Sequence, residues 1–203
     1  MDPVIPVQPQ PEPVPLFDEK VRRPGNAWLE EQGFDLDQPA PDRTKVRPYW
    51  RDCLPELHKA YKGICAYTCL FIELGTGGAS VDHFVPKSSQ LRVAYEWTNY
   101  RLAGSKINSR KRDFTDVIDP FEVKPDMFYL ELVTGAIYPN PKMPQIDQEL
   151  AKKTINRLGL DRSDLRETRA RHYQDYCQGE FIAEHLRKYS PFVWKEAHRQ
   201  GLL

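Results

Sequence analysis

The sequence predicts an α+β fold with a central ββα unit, flanking helices, a β-hairpin and a helical C-terminal region. Short apolar runs at 81–85 and 97–102 are followed by a helix start near 105–108, which indicates two strands and a helix. The alternating segment FYLEL precedes a Thr-Gly turn and predicts a hairpin. Apolar residues spaced by three and four through 145–203 predict helices.

Composition changes divide the chain into three predicted segments: 1–47, 48–120 and 121–203. In the first, proline recurs at almost every second or third position near the start. Because proline fixes φ and removes a hydrogen-bond donor, this segment is predicted to be an extended arm. It is either a disordered leader or a strap along this protein or a partner.

Helical spacing marks the two flanking regions. After Pro48, apolar side chains at spacings of three and four predict a helix that ends near Gly63, a plausible C-cap: Trp50, Leu54, Leu57 and Tyr61. In the C-terminal segment, Asp161 or Ser163 is predicted to cap the second helix.

Composition excludes several classes of protein. The 203 residues are 40% hydrophobic and 29% charged, which is typical of a globular domain and not of a disordered chain. No apolar run is long enough to cross a bilayer, and the N-terminus lacks the basic segment followed by an apolar segment that marks a signal peptide. We therefore expect a cytoplasmic protein, whose four cysteines would be reduced. The formal net charge is +0, so nucleic-acid binding would need a local basic patch.

The candidate chemistry lies around the two predicted strands. Asp82 and Asn108 are oxygen donors of the kind that Mg²⁺ or Mn²⁺ prefers, and a strand end packed on a helix start can bring them together. His83 follows Asp82 shortly before Pro86, where a strand is expected to end. An imidazole there can take a proton from water beside a metal, which is the chemistry of phosphodiester hydrolysis.

The motifs DHFVPK, WTNY and NSRK, in this order, resemble the HNH endonucleases of the ββα-metal superfamily. The resemblance implies that Asp82 is a metal ligand, His83 the general base and Asn99 a brace for the loop. It also implies that Asn108 is the second metal ligand and that Lys111 lies near the scissile phosphate.

The resemblance covers Cys65 to Phe114 and departs from the family in one respect. Many HNH proteins hold a structural zinc with two cysteine pairs, whereas Cys65 and Cys69 form at most one pair. Since a closed zinc site needs four ligands, both cysteines are expected to be core residues. Trp97 and Tyr100 are likewise expected in the core, with base stacking as the alternative.

A basic cluster follows the second strand, formed by Lys106, Arg110, Lys111 and Arg112. Taken alone, such a cluster is as often a solvated helix face. Beside a phosphate-cleaving site, it is predicted to contact the backbone of a nucleic acid.

The resemblance therefore implies a metal-dependent endonuclease that leaves a 5′-phosphate and a 3′-hydroxyl, with DNA favoured over RNA. The segment INRLGLDRSDLRETR is similar to stand-alone bacterial HNH proteins that act beside an ATPase in anti-phage defence, which implies a protein partner. Two alternatives remain: a non-catalytic adaptor for nucleic acid or protein, and an interaction domain with a structural zinc.

Overall fold

The computed structural model describes residues 7–41 and 44–203. Across these residues the protein is a mixed α+β structure with seven α-helices and two antiparallel two-stranded sheets. The elements are α1 (Arg23–Glu31), α2 (Leu54–Ala60), β1 (Ala79–His83), β2 (Tyr100–Gly104), α3 (Ser105–Lys111), β3 (Phe128–Glu131), β4 (Ala136–Pro139), α4 (Gln145–Leu158), α5 (Ser163–Cys177), α6 (Ala183–Tyr189) and α7 (Pro191–Arg199). No helix in the described part of the chain is long and apolar enough to cross a membrane.

The chain divides into two compact units. The ββα unit contains Pro9–Cys65 and Ile72–Thr115, and the C-terminal unit contains 7–8, Ala66–Phe71 and Asp116–Leu203. This division differs from the boundaries predicted at 47 and 120, because the N-terminal segment contributes side chains to the core of the ββα unit.

Strands β1 and β2 and helix α3 follow one another as the predicted ββα order. The strands pair antiparallel, with Asp82 opposite Arg101 and His83 opposite Tyr100. Strand β1 lies about two residues before its predicted position, since it ends at His83, and strand β2 lies about two residues after its predicted position. The residues Trp97–Asn99 form a 3₁₀ turn before β2 begins. Trp97 and Tyr100 are buried, which confirms their assignment to the core.

The predicted extended arm is wrong for residues 18–31. A π-helical segment, Asp18–Arg22, continues directly into α1, and Pro24 is the second residue of α1, immediately after the segment in which i→i+5 bonds replace the α-helical pattern. Three buried apolar side chains recur on one face of this helix and its entry: Phe17, Val21 and Leu29. Burial of this face outweighs the proline content of the preceding sequence. The rest of the predicted arm includes 1–6 and 42–43, which lie outside the described residues.

Polar contacts join the N-terminal segment to the loop that precedes β2. The Arg22 guanidinium bonds the carboxylates of both Glu12 and Glu96, which raises the pKa of Arg22. The indole N–H of Trp97 donates to the carbonyl of Gln10 at 2.8 Å. The N-terminal segment therefore braces the loop that ends at the candidate site.

Helix α1 packs so closely on this loop that Gly25 cannot carry a side chain without movement. A Cβ at Gly25 would lie 2.3 Å from Cγ of Tyr95, whose buried ring packs beside Tyr49 and Trp50. We expect Gly25→Ala to lower the free energy of unfolding by about 1–3 kcal/mol, because an added methyl group in a tight core forces neighbours to shift.

Urea denaturation followed by circular dichroism would measure the effect of Gly25→Ala. Gly75→Ala is the matched control, since its Cβ would meet nothing within 4 Å. Equal stability of the two variants would contradict the predicted clash.

In the C-terminal unit, the hairpin of β3 and β4 confirms its prediction from alternating residues. The predicted cap of α5 is wrong: Arg162 occupies the N-cap position and makes no side-chain cap bond. Asp161 instead accepts from the Arg166 guanidinium and from the Ile137 N–H at 3.0 Å, and these bonds lower the pKa of its carboxyl group.

Candidate active site

Two oxygen-bearing side chains meet where β1 packs on α3. Asp82 is buried on β1, and its Oδ1 lies 3.3 Å from Nζ of Lys111. On α3, Nδ2 of Asn108 donates to Oγ of Ser80 at 3.2 Å and to the Val81 carbonyl at 3.1 Å. Because the nitrogen has two acceptors, Oδ1 is the amide atom of Asn108 that remains for a cation.

Lys111 does not reach solvent, so it is not placed to contact the nucleic-acid backbone as predicted for the basic cluster, while its position near the scissile phosphate stays a prediction. Its side chain is fully buried, and Nζ donates to the carbonyls of His83 (2.8 Å) and Phe84 (3.0 Å) as well as facing Asp82. An ammonium group has three protons, and three oxygens surround this one. Lys111 therefore fixes the end of β1 and the orientation of the Asp82 carboxylate.

One ring nitrogen of His83 is hydrogen-bonded to the backbone. Its Nε2 lies 2.9 Å from the carbonyl of Ala94, and a carbonyl can only accept, so the proton is on Nε2 and the lone pair on Nδ1. The ring packs edge-on against Trp50 and Tyr100, with centroid distances of 4.6 and 5.0 Å.

The His83 ring is neutral at physiological pH. Burial lowers the pKa of His83 to about 3, and the positive charges of Lys87 and Lys111 also lower this pKa, while the bond to Ala94 opposes the shift. A neutral imidazole with a free Nδ1 is able to accept a proton from water.

Asn99 joins two parts of the loop between β1 and β2 through its side-chain amide. Its Oδ1 accepts from the Val85 N–H at 2.8 Å, and its Nδ2 donates to the carbonyls of Val85 and Val93 at 3.0 and 3.1 Å. The second of these carbonyls is adjacent to Ala94, which orients His83. Asn99 therefore holds the part of the loop that carries the Ala94 carbonyl.

A cavity of about 160 Å³ opens beside these groups, far more than the roughly 10–15 Å³ that one water needs. Its lining consists of Trp50, Val81, Asp82, His83, Pro86, Lys87, Asn108, Arg112 and Asp113. The cavity brings together the predicted residues Asp82, His83, Asn108 and Arg112.

Besides the apolar residues Val81 and Pro86, three residues that line this cavity were missed by sequence reasoning: Trp50, Lys87 and Asp113. Lys87 belongs to the DHFVPK motif, so its place in that motif was a signal for it. Trp50 stands far upstream, and only the tertiary structure brings it to His83.

The other predicted basic residues lie on or after α3. Lys106 and Arg112 are exposed, and Arg110 is half-buried. Arg112 follows the last residue of α3 with a φ of 48°, in the region that non-glycine residues seldom adopt, and its N–H bonds the Asn108 carbonyl at 3.0 Å.

The donor set fits a hard divalent cation. Among residues 7–41 and 44–203, no group of three or more His, Cys, Asp or Glu side chains could hold a metal. A carboxylate at Asp82 and an amide oxygen at Asn108 match Mg²⁺ or Mn²⁺, which keep several waters and bind substrate phosphate with only one or two protein ligands. Cys65 and Cys69 are both buried, and the Gly104 N–H donates to the Cys65 sulfur at 3.5 Å.

The sequence matches no protein-family model, and comparison with curated proteins finds no significant match. The geometry of this cavity and the chemistry of its residues are therefore the basis for proposing a function.

Proposed function

We propose that this protein is a metal-dependent endonuclease of the HNH type that hydrolyses phosphodiester bonds of DNA. One observation carries the proposal: Asp82, His83 and Asn108 line a single cavity, and the hydrogen bonds of His83 Nε2 and Asn108 Nδ2 leave Nδ1 and Oδ1 as the acceptor atoms of these two side chains. A pair of oxygen ligands beside a neutral imidazole is the donor set that metal-assisted hydrolysis needs.

In the proposed reaction, Nδ1 of His83 accepts a proton from water as the water oxygen forms a bond to phosphorus. The bond from phosphorus to the 3′-oxygen breaks, and this oxygen takes a proton from solvent, leaving a 5′-phosphate and a 3′-hydroxyl. The metal, when bound by Asp82 and Asn108, would supply stabilisation of the negative charge that develops on the phosphate and leaving oxygens.

The charges around His83 suit an anionic substrate. Lys87 and Lys111 both lower the pKa of the ring in the protein alone. A phosphate in the cavity would oppose these charges and make Nδ1 a stronger base. Substrate binding would therefore raise the basicity of His83 at the moment when a proton acceptor is needed.

Metal dependence is the first expected result. Purified protein is expected to nick or linearise supercoiled plasmid with Mg²⁺ or Mn²⁺ and to leave it intact with EDTA. Asn108→Ala is expected to raise the metal concentration needed for half-maximal cleavage by at least about tenfold, since loss of a metal-site partner typically costs 10- to 100-fold in metal affinity or activity.

Ser109→Ala is the matched control, because Ser109 is exposed on α3 and its hydroxyl donates to the Lys106 carbonyl of the same helix. Plasmid cleavage that persists in EDTA would contradict the metal-dependent mechanism. An inactive protein that still binds DNA or another protein would favour the adaptor alternative.

We also propose a protein partner, such as the defence ATPase that the sequence resemblance implies. The chain carries 29 basic and 29 acidic residues, so its overall charge does not draw it to DNA. A nuclease with weak affinity for DNA would act where a partner recruits it. Affinity purification followed by mass spectrometry would identify that partner.

A further inference from the structure

The cavity is lined by two basic side chains to which the proposed reaction assigns no contact with the substrate. They are Lys87, in the loop after β1, and Arg112, at the end of α3. Lys111 cannot serve as a third, since three protein oxygens surround its ammonium group. The positive charge available to a ligand therefore comes from two different elements.

Lys87 is held in place by its neighbours and not by an acidic partner. Its Nζ lies 5.2 Å from the ring centroid of Trp50, a cation–π contact that steers the ammonium group without consuming its hydrogen-bond donors. Within the described residues, Lys87 has no hydrogen bond or ion pair. A half-buried ammonium group with all its donors available is suited to an anion.

The backbone around Lys87 is also fixed. Asn99 bonds both the N–H and the carbonyl of Val85, and the Pro86 carbonyl accepts from the N–H groups of Ser89 and Gln90. Lys87 therefore stands on a braced turn at the edge of the cavity. Preorganisation of this kind lets a charge act on a substrate without first being ordered.

We propose that Lys87, together with Arg112, forms the subsite that binds the non-bridging oxygens of the scissile phosphodiester, with Trp50 positioning Lys87. This inference rests on the proposed nuclease function, and it adds a phosphate-binding residue that the sequence analysis did not include. Lys87 would hold the phosphorus atom beside Nδ1 of His83 and stabilise the charge that grows on its oxygens.

The test is binding of thymidine 3′,5′-bisphosphate to the full-length protein, followed by tryptophan fluorescence and confirmed by calorimetry. Lys87→Gln is expected to weaken binding by about 10- to 100-fold, the loss typical of a hydrogen bond to a charged group. Lys87→Arg keeps the positive charge, and its affinity for the bisphosphate is expected to stay within about tenfold of the wild-type affinity. The control is Lys59→Gln, an exposed lysine on α2 outside the cavity, which should bind as the wild type does.

Plasmid cleavage by the same variants separates this inference from the proposed function. The bisphosphate titration requires no turnover, so it reports on the subsite even if the wild-type protein cuts no DNA. Wild-type affinity in Lys87→Gln, or no saturable binding by the wild-type protein, would overturn the subsite. Binding that depends on Lys87 without any metal-dependent cleavage would keep the subsite and count against the nuclease.

Discussion

Replacing His83 by alanine is expected to slow plasmid cleavage by about a hundredfold to ten-thousandfold, the usual contribution of a general base. The fold should tolerate the change, because the Ala94 carbonyl that His83 bonds also accepts from the Tyr100 hydroxyl at 2.9 Å. Burial raises the pKa of Tyr100, so this hydroxyl remains a donor at any pH of interest. Asp82 and Asn108 are unchanged in the variant, and Mn²⁺ binding should persist.

Two measurements together test the role of His83: the cleavage rate, and a Mn²⁺ titration followed by electron paramagnetic resonance. His58→Ala is the matched control, since His58 lies in the same unit and its Nε2 likewise bonds a backbone carbonyl, that of Ile72 at 2.6 Å. His58 does not line the cavity. Full activity in His83→Ala would reject this residue as the base, and loss of Mn²⁺ binding would make it a metal ligand instead.

Replacing Lys111 by methionine is expected to lower the free energy of unfolding by about 3–5 kcal/mol in EDTA, the usual cost of removing one partner of a buried ion pair. Methionine keeps most of the length and apolar character of the lysine stem, so the change mainly removes the charge and the three contacts of Nζ. The Asp82 carboxylate would lose the ammonium 3.3 Å away, and the carbonyls of His83 and Phe84 would lose a donor.

The same variant also tests the proposed metal site. A divalent cation at Asp82 would restore positive charge beside the carboxylate, so Mg²⁺ should raise the melting temperature of Lys111→Met more than that of the wild type. Lys106→Met is the control on the same helix, and because Lys106 is exposed its stability should change by less than about 0.5 kcal/mol. A wild-type melting temperature for Lys111→Met in EDTA would contradict the structural role of Lys111.

The inward position of Lys111 follows from helix geometry combined with the packing of α3. Asn108 and Lys111 are three residues apart, so they share one face of the helix. On that face, Asn108 bonds the Val81 carbonyl and Lys111 bonds the His83 carbonyl, so both side chains contact β1. Its charge predicted an exposed position for Lys111, but a lysine can be buried when a buried carboxylate such as Asp82 pairs with it.

In the N-terminal segment, local sequence patterns predicted too little regular structure. Its proline content predicted an extended arm, yet residues 18–31 are helical and Phe17 is completely buried. Phe17 packs edge-on against Trp97 and Tyr100, with ring centroids 5.5 and 5.7 Å apart. These partners lie some eighty residues along the chain, so the contacts that stabilise this conformation could not be seen in the segment itself.

The sequence alone determined the mixed α+β class, the order strand, strand, helix and the hairpin, because alternation and helical spacing are local properties of the chain. It also marked Asp82, His83, Asn99 and Asn108, whose side-chain chemistry and order are visible without a fold. Only the tertiary structure decided which ring nitrogen of His83 is hydrogen-bonded, which basic side chains are buried and which basic side chains line the cavity. Those outcomes depend on atoms such as the Ala94 carbonyl and the Trp50 ring, which come into place through contacts between distant parts of the chain.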